Sequence, residues 1–173
     1  MTKNFFRFAA FVVAAMGLAA AATAQDHNRT VLPTDTFDLP GGSRLEIGFI
    51  KHGSLTLNYN GHVIYCDPAT LFPKVKDFKV KYDTLDKADL ILVTHSHKDH
   101  LDPLAIKDLL KPGGIGEAAG QTLVLLNRES AAMVDFGTEM NNGDVRRVGD
   151  WITITAVPSA NLTPERAQYH PND

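Results

Sequence analysis

The chain has 173 residues, of which 44% are hydrophobic and 21% charged, with a formal net charge of −3. That length is a prior for one domain, and the lack of a basic excess argues against a nucleic-acid binder, which needs a cationic face. A single cysteine, Cys66, excludes an intramolecular disulfide framework.

The chain opens with Lys3 and Arg7, an apolar stretch from Phe8 to Ala22, and the small-residue pattern Ala22-Thr23-Ala24. The stretch is slightly short of a membrane span of about 20 residues. The cleavage pattern favours a secretory signal peptide over an uncleaved anchor. Residues 1–24 are therefore expected to be removed, leaving a periplasmic or secreted protein that begins near Gln25 and has no stable membrane anchor. Residues 25–42 are polar, carry Pro33 and Pro40, and read as an arm.

Half-buried strands are expected at Arg44–Ile50 and Ser54–Tyr59, where apolar and polar residues alternate. Asn60-Gly61 is the strongest short hairpin signal a sequence can carry, and it leads into a strand at His62–Cys66. Cys66 there reads as a small core hydrophobe. Lys74–Lys87 is lysine-rich and reads as an exposed loop or short helix. Leu90-Ile91-Leu92-Val93 is a continuous apolar run, typical of a strand buried on both faces. Asp102 is a good N-cap with Pro103 at the first helical position. Leu104, Ile106, Leu109 and Leu110 supply an apolar face, and Pro112-Gly113-Gly114 stops the helix. A second buried strand at Leu123–Leu126, a short helix at Ser130–Phe136 and a closing hairpin of Asp144–Val148 with Trp151–Val157 follow. Strands mixed with covering helices imply a layered α/β domain over residues 43–173.

The chemistry lies in His95-Ser96-His97-Lys98-Asp99-His100, set directly between the buried strand and the capped helix. Imidazole and carboxylate donors suit zinc, and also iron or manganese. Four donors within six residues cannot all reach one ion without strain. Two neighbouring ions are the natural solution, and such sites activate water near neutral pH. A solvated polar loop is the bland alternative. It does not explain why three of the seven histidines fall here, with no turn residue after the apolar run. His27 in the arm, His52 in a strand connection and His62 at the hairpin turn read as surface residues.

Thr94–His100 resembles the His-x-His-x-Asp-His motif of the metallo-β-lactamase superfamily, and the match includes the preceding Leu-Val-Thr and the following helix. The stretch Gly53–Asp67 resembles that family's first strands. Ala156-Val157-Pro158-Ser159-Ala160-Asn161, with Arg166 and Tyr169-His170-Pro171, resembles the branch that includes the L-ascorbate-6-phosphate lactonase-like hydrolases. The resemblance implies an αββα sandwich, present here as its N-terminal half plus part of the second. It also implies metal-dependent hydrolysis of a small-molecule ester, lactone, amide or phosphoester.

His95 and His97 would hold the first of one or two Zn²⁺ ions (Mn²⁺ or Fe²⁺ are alternatives), and Asp99 and His100 the second. Asp99 instead orients the attacking water where a single metal is bound, which makes it the candidate catalytic residue. His170 is the candidate third histidine of the first metal. Asp67 is either a turn residue before Pro68 or, as the resemblance implies, the acceptor that orients a ligand histidine. The family continues beyond the position of His170 with further ligands, so an incomplete C-terminus is expected. The rival readings are a catalytically impaired fragment and an exported metal-binding module without turnover. No oligomeric state follows from the sequence.

Overall fold

The computed structural model describes residues 30–71 and 80–159. The expected signal peptide, His27 and His170 lie outside them. Nine strands occur among the described residues: β1 (Thr34–Asp38), β2 (Arg44–Lys51), β3 (Ser54–Tyr59), β4 (His62–Cys66), β5 (Leu90–Val93), β6 (Leu123–Asn127), β7 (Thr138–Met140), β8 (Val145–Val148) and β9 (Ile152–Thr155). The first seven form one sheet in sequence order, and β8–β9 form a separate antiparallel pair.

β1 through β4 pair antiparallel, and β4 through β7 pair parallel. Two antiparallel steps separate β2 from β4, so β2 runs in the same direction as the parallel strands. The carboxyl ends of β2, β4, β5, β6 and β7 therefore share one edge of the sheet. In open α/β sheets that edge is where ligands bind.

The hydrophobic residues split by strand alternation into two cores. Ile91 and Val93 of β5 and Val124 and Leu126 of β6 face one side, where they pack with Ala105, Ile106 and Leu109 of the Pro103–Leu109 helix. Leu90, Leu123 and Leu125 face the other side, against Val148, Trp151, Ile152 and Ile154 of the β8–β9 pair. Helices, mixed sheet and second small sheet thus stack as three layers, a metallo-β-lactamase-like α/β arrangement. Both faces of β5 and β6 are covered, which is why their sequences are uninterrupted runs of apolar residues.

Several local expectations hold. Asn60 and Gly61 both take positive φ, 49° and 86°, as the tight turn between β3 and β4 requires. Asp102 caps its helix, its Oδ1 accepting from the Leu104 and Ala105 amides at 3.0 and 3.3 Å. Burial, with Asp67 adding to it, raises the Cys66 thiol pKa to about 11, so it stays protonated and inert near neutral pH.

Other expectations need correction. Residues 34–38, read as part of a polar arm, pair along β2 as an edge strand. All five are exposed, which is why no apolar alternation marked them. Leu104 is exposed rather than core-facing, because it lies two residues past the cap, on the side of the helix turned to solvent. The helix expected at Ser130–Phe136 runs instead from Arg128 to Met133, because Asn127 at the end of β6 accepts the Ser130 amide and starts it early. β7, only three residues long, carries no periodic signal and was not foreseen.

Candidate metal centre

The loop that follows β5 stands at the shared carboxyl edge. The amides of His100 and Leu101 both donate to the His97 carbonyl, at 2.9 and 2.7 Å, and fold the loop back on itself. That turn brings the imidazoles together. The His95 and His100 ring centroids are 3.8 Å apart, and those of His95 and His97 are 4.8 Å apart. Asp99 sits beside them, its Oδ2 at 4.0 Å from His100 Nε2.

Asp67, at the end of β4, organises the loop from below. It is buried and takes a positive φ of 48°. Its Oδ1 accepts the Thr94 amide at 2.7 Å, and its Oδ2 accepts the Thr94 hydroxyl at 2.8 Å and His100 Nδ1 at 2.8 Å. Asp67 thus combines a turn conformation before Pro68 with an acceptor contact to His100.

This network orients two of the rings. A carboxylate only accepts, so His100 donates from Nδ1 at 2.8 Å, which leaves Nε2 on the opposite edge of the ring. Thr94 donates its hydroxyl proton to Asp67, so its oxygen accepts from His95 Nδ1 at 3.0 Å, and Nε2 of His95 likewise lies on the opposite edge. A donor nitrogen whose partner nitrogen is tied to a carboxylate or hydroxyl is the arrangement that metal-binding histidines use.

The loop carrying Asp67 is itself pinned. The buried Tyr82 hydroxyl accepts from the Ala69 amide at 2.9 Å and donates to the Ala69 carbonyl at 2.8 Å. Burial raises the Tyr82 pKa, which keeps the proton that this second bond needs. Asp102 Oδ2 accepts the Thr70 amide and hydroxyl, at 3.0 and 2.5 Å. The helix cap thereby ties the β4 loop to the start of the helix.

His52, expected at the surface in a strand connection, is exposed there, in the two-residue turn between β2 and β3, and its Nε2 lies 3.1 Å from Asp99 Oδ2, a proximity that the sequence does not signal. His52, Asp99 and His100 can place one ligand atom each within 4.8 Å of one another. Gly53 makes the approach possible: a Cβ there would lie 3.0 Å from His100 Cε1 and 3.9 Å from Asp67 Oδ2. Ser54 donates to the Asp67 carbonyl at 2.5 Å and locks the turn to the end of β4. The signal that could have found His52 is its place before Gly53 at a carboxyl strand end, but that requires knowing the sheet order. His62 is not at the site. It stacks on Trp151, with centroids 4.1 Å apart and planes 3° apart, and fastens the β8–β9 pair to the sheet.

The site opens into a cleft of about 680 Å³. Its lining combines the histidines and Asp99 with apolar side chains, among them Leu125, Met140, Ile154 and Val157. Asn127 and Asn142 add amide groups at its margin. The convergence of imidazole and carboxylate donors, with two of the imidazoles held through Nδ1, fits a divalent metal ion.

Comparison with known proteins agrees with this geometry. Residues 46–163 match the family model described as a beta-lactamase superfamily domain. The chain is 35% identical over 133 residues to a UPF0173 metal-dependent hydrolase of Cupriavidus necator, covering 74% of this chain and 45% of that protein. It is 38% identical to a solved structure from Parabacteroides distasonis, named as a metal-dependent hydrolase, with a TM-score of 0.68 over 82% of this chain and 58% of that one. The chain thus spans about half the length of these relatives. With the motif loop, the sheet order and the family match in agreement, the chain belongs to the β-lactamase superfamily and has its metallo-β-lactamase-like fold.

Proposed function

We propose that this chain carries the metal site of a metal-dependent hydrolase that acts on a small ester, lactone, amide or phosphoester. The observation that carries this reading is the shared fixation of the loop by Asp67 and Thr94, which hold His100 and His95 through Nδ1 and leave their Nε2 edges as the ones that would face a metal. His95 and His97 would hold one ion, and Asp99 and His100 a second. A bound Zn²⁺, Mn²⁺ or Fe²⁺ supplies Lewis acidity that polarises the scissile group and makes water acidic. The protein's share is positional. Asp67 and Thr94 hold the two imidazoles through Nδ1, and where a single metal is bound Asp99 would instead orient the attacking water. The apolar side chains of the cleft exclude bulk water and receive the non-reacting part of the substrate.

Elemental analysis of purified protein tests the metal reading. Metal is expected in the wild type and absent from a His95→Ala/His97→Ala double variant. Equal metal in both would remove the loop as the site. Hydrolysis of a lactone, a β-lactam and a bis-aryl phosphodiester then tests turnover: any turnover should need added zinc or manganese and vanish in His97→Ala. We also infer export, from the charged, apolar and Ala22-Thr23-Ala24 segments in turn. Intact mass of the exported protein should begin at Gln25, and retention of Met1–Ala24 would overturn that inference.

A further inference from the structure

We infer that His52, supplied by the β2–β3 turn, is a further donor to the metal position that Asp99 and His100 form. The inference rests on the metal-site reading above and names a ligand lying outside the motif loop.

Three observations support it. The first is distance. Two donors on one zinc ion, each about 2.1 Å from it, lie roughly 3–3.5 Å apart in a tetrahedral site. His52 Nε2 and Asp99 Oδ2, 3.1 Å apart, already fall in that range, whereas His100 Nε2, 4.0 Å from the same oxygen, would close by about half an ångström on binding. An imidazole N–H donating to the carboxylate accounts for this approach in the metal-free protein, and a cation of the right size could take the hydrogen's place in the loaded one.

The second is backbone conformation. His52 takes a φ of 56° in a two-residue turn. Positive φ is uncommon for a residue other than glycine, although histidine, like asparagine and aspartate, adopts it more readily than most. Such a conformation persists where the surrounding structure and the function of the side chain hold it. The third is how the turn is built. Gly53 leaves room for the His100 ring, Ser54 anchors the turn to Asp67, and the strand register slips between Phe49 and Lys51 just before it. Irregularities of that kind re-aim a side chain at the end of a strand. The His52 and His100 rings consequently meet edge to face, with centroids 5.4 Å apart. The His52 side chain is 49% exposed, so a metal held there would remain open to substrate.

The test is competitive titration of Zn²⁺ against a chromophoric chelator, and of Co²⁺ followed by its visible d–d absorption, on the full chain. His52→Ala should lower affinity at the weaker position at least tenfold and change the Co²⁺ band there. His52→Gly should do the same while easing the backbone, so a loss in both variants is not a folding failure. His52→Gln separates ligation from simple positioning, because its amide can still donate to Asp99 but replaces the imidazole poorly as a ligand. Continued weakness in His52→Gln supports ligation. Recovery to wild-type affinity would overturn it, and so would unchanged affinity in His52→Ala. Wild-type protein that binds no metal would remove the parent reading instead, and is recognised by needing no variant.

Discussion

Two short segments meet at the cleft, and they were built by different rules. The loop 94–100 is a local device. A buried strand feeds it, a capped helix leaves it, and four of its side chains are donors within six residues. The turn 51–54 is a tertiary device. Its single donor, His52, reaches the site only because β2 runs alongside the parallel strands and ends at the same edge. The loop would carry a recognisable signature in any fold, whereas the turn has meaning only in this one. A site can therefore be half written in local sequence and half in strand order.

Perturbing the group that serves both segments gives the largest expected effect. Asp67 accepts three hydrogen bonds that order the loop, and its carbonyl receives Ser54 from the turn. Asp67→Ala strands buried donors at roughly 1–3 kcal/mol for each one left unpaired. We expect a loss of about 2–4 kcal/mol in denaturant unfolding, and a fall of about 10–100-fold in metal affinity, as for other residues that orient ligands. Asp67→Asn suits the positive φ at this position. It should retain more of the stability while still losing affinity, because an amide accepts fewer bonds. Equal metal affinity in both variants and the wild type would show that the loop orders itself.

The next effect isolates the turn. Gly53→Ala puts a methyl group 3.0 Å from His100 Cε1, so the ring must shift by a few tenths of an ångström. Misplacements of about 1 Å can cost roughly a hundredfold in function, so a smaller shift should cost about tenfold in metal affinity. The unfolding midpoint should move little. A large stability loss with unchanged affinity would mean that the turn packs without positioning anything.

The smallest effect isolates the far end of the loop. Asp102→Ala removes the helix cap and both bonds to Thr70. Loss of a cap costs about 0.5–2 kcal/mol, visible as a lower unfolding midpoint. Metal affinity should stay within about threefold of wild type, since Tyr82 still pins the β4 loop and Asp67 still holds the ligands. A loss of affinity matching that of Asp67→Ala would show that the cap, rather than Asp67, sets the geometry.

Packing energetics explain why strain at the site is tolerated. Fully burying a residue such as Ile91, Leu90 or Val124 stabilises the fold by about 1.5–3 kcal/mol. A strained backbone conformation costs roughly 1–3 kcal/mol. Several such residues in β5 and β6 outweigh the cost at His52 and Asp67 together, so the sheet sets the edge and the site residues conform to it.

By itself the sequence determined the elements whose causes are local. The Asn60-Gly61 turn follows from backbone sterics, β5 and β6 from uninterrupted apolar runs, the Pro103–Leu109 helix from its cap, and the metal loop from donor spacing. Only the tertiary structure decided the exposed edge strand β1, the three-residue β7, the outward turn of Leu104, the stacking of His62 on Trp151 and the arrival of His52 beside Asp99. Each of these depends on which strand lies next to which, and pairing across long separations leaves no periodic trace in the chain. Asp67 stands between the two classes: its position before Pro68 marked a turn, but its three acceptor contacts exist only once β4 and β5 lie side by side.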